Sequence, residues 1–187
     1  MGKVVTTISH NCTQCGECCR NRYDMYLMPI DVFRIAKHFK MTCENVINSF
    51  CERVGSFEVK ARTVGNDDRC IFLRTSVNGG TSCAIYDVRP LKCYIYPLGA
   101  NVDCLDCFSI DEQCNALRNE KQMSALEFAI KMSNNRYKMD WLFRNAFVGA
   151  LENLERRGGI DDNHFFEYLF YNDSEEEVIS KITELNV

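Results

Sequence analysis

The sequence predicts an α+β fold: a small, mostly helical domain with a short antiparallel hairpin, organised around a cysteine–metal cluster. Three observations carry this reading. Apolar residues recur at helical spacing after Pro29 and again through the last third of the chain. Asn78-Gly79-Gly80 separates two short apolar runs and tolerates the positive φ that a hairpin turn needs. Twelve of the 187 residues are cysteine, and three of them are spaced C-x2-C-x2-C.

The elements follow in chain order. Residues 1–28 have little periodicity and hold the first cysteines. Pro29 opens a helix to about Lys40, because a first helical turn loses nothing to its missing N–H. Ile30, Phe33, Ile35 and Ala36 give this helix a partial apolar face. Thr42 caps a second helix to about Val54, with Glu44 favoured in its first turn by the helix dipole. Phe57 to Val64 alternates apolar and polar residues and reads as a half-buried strand. Cys70-Ile71-Phe72-Leu73 and Cys83-Ala84-Ile85-Tyr86 read as the two strands of the hairpin. Arg89-Pro90 forces a turn, and Pro90 starts a short helix carrying Cys93. Residues 97–117 read as loop and hold Cys104, Cys107 and Cys114.

The last third is helical. Ser124-Ala125-Leu126-Glu127 is a capping box, Gly158-Gly159 is a stop, and Ser133-Asn134-Asn135 breaks the stretch between them. A further helix covers His164 to Tyr171. Ser174 to Glu177 forms a second capping box, opening a helix to about Leu185 with Val178, Ile182 and Leu185 on one side. Trp141, Phe143 and Phe147 read as helix packing. The expected organisation is a metal-binding core over 1–120 and a helical part over 121–187 packed on it within one domain.

Composition narrows the function. The net charge of −4 offers no electrostatic footprint for nucleic acid or an anionic membrane surface. No run of about 18 apolar residues is present, so no membrane span is expected. The first residues lack a secretory apolar stretch, which points to the cytoplasm, where thiols stay reduced. Many cysteines in a reducing compartment indicate metal or redox chemistry rather than a disulfide framework.

Cys12, Cys15 and Cys18 allow a short loop to wrap a metal centre, and Gly16 permits the bend that wrapping requires. The spacing suits zinc and iron–sulfur sites alike. Cys19 follows directly, and adjacent side chains tend to diverge. The pair therefore serves one metal, two metals, or one metal and the core. Cys70, Cys83, Cys93 and Cys114 are candidates for remote ligands, with Cys104 and Cys107 competing with Cys114. Cys43 and Cys51 read as core or surface thiols. His10 reads as a solvated loop residue, and His38 and His164 have no ligand-like neighbours in sequence. Arg20 and Arg89 either tune the thiolates or make surface and turn bonds. Asp31 is a helix-start residue.

Cys12-x2-Cys15-Gly16-x-Cys18-Cys19-Arg20 is followed by Leu27-x3-Asp31-x2-Arg34-Ile35 and by Cys70-x-Phe72-Leu73. Cys83-x-Ile85-Tyr86-x2-Arg89-Pro90-x2-Cys93-x3-Pro97 completes the series. In this order the motifs resemble the CxxCxxCC cysteine-cluster family, the YkgJ-type zinc- or iron-chelating domain also found in flagellin lysine N-methylases. The resemblance runs over roughly residues 10–137. It implies eight metal ligands: Cys12, Cys15, Cys18, Cys19, Cys70, Cys83, Cys93 and Cys114. The cofactor it implies is zinc or an iron–sulfur cluster.

Three functions follow as expectations. The first is a zinc- or iron-chelating protein with a structural, chelating or redox role. The second, implied by the methylase relatives, is iron–sulfur-dependent methyl transfer to protein lysine, with S-adenosylmethionine as cosubstrate. The third is a metal-anchored module that binds a protein partner through its C-terminal helices. No nucleic-acid or membrane partner is expected.

Overall fold

Pro29 fixes the start of α1 (Pro29–Phe39), and the Asp31 carboxylate accepts the Met28 N–H at 2.9 Å. Lys40 ends the helix in the left-handed region at φ 56°. Thr42 then caps α2 (Cys43–Phe50), its hydroxyl accepting the Asn45 N–H at 3.1 Å. The computed structural model describes residues 14–20, 25–55, 57–96, 98–100, 108–110, 135–156 and 163–185. Among these residues the α+β class holds: six helices accompany four small antiparallel sheets.

α2 stops short of the expected Val54. Cys51 leaves the helix as the first residue of β2 (Cys51–Arg53), which pairs with β3 (Val59–Ala61). β3 also pairs with β1 (Tyr26–Leu27), so the order is β1-β3-β2. Ladder bonds available to Cys51–Arg53 outweigh continuation of a short helix. Arg62 divides the expected Phe57–Val64 strand, and β4 (Thr63–Val64) turns away to pair with β5 (Arg69–Cys70).

The hairpin also differs from expectation. Gly79, at φ 80°, donates to the Ser76 carbonyl, and Ser76 donates to Gly80, which closes the turn. The residues flanking that turn therefore pair. They are β6 (Leu73–Thr75) and β7 (Thr81–Cys83), with Leu73 opposite Cys83. Cys70 is excluded from the hairpin and lies opposite Thr63. Ala84 and Ile85 form a turn instead of a strand, and Tyr86 opens a 3-10 helix, Tyr86–Val88. α3 (Leu91–Ile95) follows Pro90 as expected. The 97–117 stretch contains β8 (Leu98–Ala100) paired with β9 (Phe108–Ile110), where loop was expected.

The C-terminal helices are α4 (Asn135–Arg156), α5 (Asn163–Phe170) and α6 (Glu175–Leu185). α4 begins within the expected Ser133–Asn135 break. The Ser124 capping box and Gly158-Gly159 lie outside the described residues. Ser174 Oγ accepts the Glu177 N–H at 3.1 Å, while the Glu177 carboxylate reaches back to the Asp173 N–H at 2.9 Å. That is the expected cap, displaced by one residue on its return bond.

The core joins both ends of the chain. Val32, Ile35, Val46 and Val59 are buried in one cluster with Phe147, Phe170, Val178 and Ile182. Phe147 and Phe170 meet edge to face at 6.4 Å. Arg34 pins α1 to the C-terminal helices. Its guanidinium reaches Asp140 on α4 at 2.5 Å and Glu175 on α6 at 2.6 Å. Burial acts to lower the Arg34 pKa, but the two carboxylates outweigh it and the net direction is up.

Candidate metal centre

The N-terminal cysteine loop is shaped by backbone that only certain residues hold easily. Gln14 and Gly16 both have positive φ, 54° and 78°. Gly16 then leads into a 3-10 turn, Glu17–Cys19, closed by the Cys19 N–H on the Gly16 carbonyl at 3.0 Å. A Cβ at Gly16 would lie 3.0 Å from Thr81 Oγ1 and 3.3 Å from Leu73 Cδ1. The loop is therefore seated directly on the β6–β7 hairpin. Thr81 Oγ1 also donates to the Gln14 carbonyl. Arg20 fastens the other side of the loop through a 2.5 Å bond to Asp67, in the turn between β4 and β5.

These attachments fix the loop that carries Cys18 and Cys19 on the hairpin and on the β4–β5 turn. Cys18 Sγ and Cys19 Sγ lie 3.9 Å apart. Two sulfurs about 2.3 Å from one tetrahedral ion stand about 3.8 Å apart, so this pair has the separation of one edge of such a site. The adjacent side chains come within reach of each other here, inside the 3-10 turn. Cys19 shares a hydrogen bond with Cys18, is half-buried, and lies within electrostatic reach of Cys70 and Cys93. All of these push its thiol pKa up. A thiolate at Cys19 thus needs a cation beside it.

Each expected ligand has a definite place. Cys70 is buried on β5, and Cys83 and Cys93 are half-buried on β7 and α3. Cys15 is exposed on the loop. Cys12 and Cys114, with the competing Cys104 and Cys107, lie outside the described residues. Among the described residues no cysteine forms a disulfide, and no three His, Cys, Asp or Glu side chains are close enough to hold a metal ion. The described portion supplies a convergent thiol pair with two further cysteines nearby. The donor chemistry and the sulfur separation both fit a thiolate-bound metal.

Two sulfurs were not read as neighbours of this site from the sequence. Met25 is 4% exposed, and its Sδ accepts a hydrogen bond from Cys93 Sγ at 3.3 Å. Cys51 is 1% exposed; burial raises its pKa to about 12, with a further contribution from nearby Cys70. Neither carries a spacing signal, since Met25 meets a residue of α3 and Cys51 and Cys70 belong to different sheets. Cys43 is a core thiol, as expected, donating to the Asn172 carbonyl at 3.3 Å.

The family model described as "CxxCxxCC: Putative zinc- or iron-chelating domain" matches residues 11–122. The chain belongs to the CxxCxxCC family. It is also similar to the Uncharacterized protein MJ0661 of Methanocaldococcus jannaschii, with 28% identity over 95 residues. That alignment covers 51% of this chain and 48% of the relative, so the chain spans about half the length of the curated protein it matches. No solved structure matches.

Within the CxxCxxCC segment, the non-cysteine motif residues act as scaffold. Leu27 and Ile35 are core residues, Asp31 caps α1, and Arg34 holds α4 and α6. Arg20 makes an ion pair with Asp67. The Arg89 guanidinium lies 3.6 Å from the Tyr86 ring centre and donates from Nε to the Tyr86 carbonyl at 2.7 Å, a turn-locking role. His38 hydrogen-bonds the Ala84 carbonyl at 2.9 Å, just past Cys83. Among the described residues no helix is long and apolar enough to cross a membrane.

Proposed function

We propose that the chain holds zinc or iron through thiolates and uses the metal to fasten its loops together. The ligand set proposed is Cys12, Cys15, Cys18, Cys19, Cys70, Cys83, Cys93 and Cys114. The observation that carries this is the Cys18–Cys19 sulfur separation of 3.9 Å, in a loop seated on the β6–β7 hairpin. A bound cation neutralises thiolates that would otherwise repel one another. The chain's own residues do the rest. Gly16 and Thr81 seat the loop, Arg20 ties it to the turn before Cys70, and Pro90 opens α3, which carries Cys93. The absence of disulfides among the described cysteines favours a reducing compartment such as the cytoplasm.

The test is metal analysis of the chain purified anaerobically, with an absorption spectrum to separate zinc from iron–sulfur. Cys19→Ser and Cys70→Ser should each lower bound metal per chain and lower the melting temperature. Cys43→Ala, whose thiol donates to the Asn172 carbonyl, should retain full metal. Wild-type protein that carries no zinc or iron and takes up neither on reconstitution would refute the proposal.

A further inference from the structure

A cavity of about 510 Å³ is lined by the end of α2, by β2 and by α5. That lies within the size range of small-molecule sites, about 300–1,000 Å³. Its apolar lining, Ile47, Cys51 and Phe166, is buried. The charged residues of the lining divide into two groups. Glu52 and Arg53 are already engaged. Glu52 pairs with Lys60 at 3.1 Å. The Arg53 guanidinium lies 4.1 Å from the Phe166 ring centre, donates from Nη1 to Asn163 Oδ1 at 2.7 Å, and donates from Nε to the Gly55 carbonyl at 3.1 Å. These bonds tie β2 to α5 and hold the wall in shape.

Arg62 and Glu167 form the second group. Both line the cavity and both are exposed. Among the described residues neither side chain makes an ion pair or a hydrogen bond. Their backbones are nonetheless fixed. The Arg62 N–H donates to the Phe50 carbonyl at 2.8 Å, and the Arg62 carbonyl accepts the Ile71 N–H at 3.0 Å. The Glu167 carbonyl accepts the Tyr171 N–H at 2.8 Å. Two opposite charges therefore border one space without closing on each other. Tyr171 also lines it; burial, with Glu44 and Glu167 nearby, pushes its pKa up and keeps the hydroxyl neutral.

This arrangement selects the ligand by charge. An anion gains from Arg62 and is repelled by Glu167, and a cation meets the reverse. A dipolar molecule gains from both. A guanidinium holds a carboxylate through two parallel bonds, and a carboxylate accepts the N–H groups of an ammonium. We propose that the cavity binds a small zwitterion, an amino acid or dipeptide, with its carboxylate on Arg62, its ammonium on Glu167 and its apolar side chain against Ile47 and Phe166. The site uses none of the proposed metal ligands, so this inference and the metal-binding reading fail independently.

The test titrates the isotope-labelled full chain, as purified, with L-leucine and with leucyl-leucine, following the backbone amides and the Arg62 Nε–H by nuclear magnetic resonance. At least one of the two should shift the resonances of the cavity residues saturably, and the tighter of them gives the length of the ligand. Blocking one end of the probe that binds removes one charge. Its N-acetyl and C-amide forms should each bind about fivefold or more weakly. Arg62→Gln and Glu167→Gln should each weaken the unblocked probe by a similar factor, and both sites are exposed, so the fold should tolerate them. The blocked probes give the same answer on wild-type protein if a variant fails to fold. No saturable shift with either zwitterion would overturn the inference. So would a blocked form that binds as tightly as its parent, or a folded variant that binds like wild type.

Discussion

Replacing Arg34 by alanine tests how the cysteine-bearing segment is joined to the C-terminal helices. Arg34 is 13% exposed, and its partner Asp140 is 3% exposed, 2.5 Å away. Removing the guanidinium takes the Arg34 hydrogen bond and charge from the buried Asp140 carboxylate, a defect of about 3–5 kcal/mol in buried pairs. Glu175 is 44% exposed, so water takes over much of its share and its bond adds at most about 0.5 kcal/mol. The low end, about 3 kcal/mol, suits a site where α4 can shift slightly to hydrate Asp140. With a urea slope of roughly 2 kcal/mol per molar, the unfolding midpoint should fall by about 1.5 M. Urea titration followed by circular dichroism measures this directly. The double variant Arg34→Met with Asp140→Leu removes both charges and should recover all but about 1 kcal/mol. A midpoint shift below about 0.3 M for Arg34→Ala would show that the ion pair does not hold α1 to α4.

Three further predictions concern the cysteine region. Gly16→Ala should cost about 1–2 kcal/mol from its positive φ and also weaken zinc binding, because its Cβ would push on Thr81. Gly79→Ala has the same sign of φ but open space around it, and should incur the backbone cost with no loss in a zinc-chelator competition. Cys51 should give an alkaline limit to stability. Its folded pKa is raised to about 12 from 9.0, so its contribution is complete below pH 9 and is lost as pH rises toward 12. Unfolding free energies from urea titrations at pH 8.5 and 10.5 should differ by about 2 kcal/mol more in wild type than in Cys51→Val; an equal difference in the two proteins would show that Cys51 is not held as a buried thiol. Zinc binding should release protons, because the metal-free Cys19 is held in the thiol form by Cys18 and by burial. Affinity should therefore fall from pH 8 to pH 6, and a pH-independent affinity would contradict thiolate ligation.

How much of this could be read from residues alone differs by element. The starts of α1, α2 and α6 were legible at Pro29, Thr42 and Ser174, because capping chemistry is decided within four residues. The end of α2 was not, since Cys51–Arg53 chose between helix and strand according to a partner at Val59–Ala61. Strand pairing was misread for the same reason. The Ser76–Gly80 turn sets which residues face each other, and it assigns Leu73, not Cys70, to the hairpin. The cysteine spacing pointed to the loop, while the convergence of Cys18 and Cys19 depended on the 3-10 turn after Gly16.

The sequence alone determined the α+β class, the capped helix starts, the cysteine-rich loop and membership of a metal-chelating family. All of these rest on short-range periodicity, turn chemistry or ordered spacing. Only the tertiary structure decided that Arg34 joins α1 to α4 and α6, that Thr81 and Asp67 seat the loop, and that Met25 and Cys51 lie beside cysteines. Those facts depend on residues dozens of positions apart meeting through strand register and helix packing. No local pattern encodes such meetings, because each is set by the summed burial of the whole core.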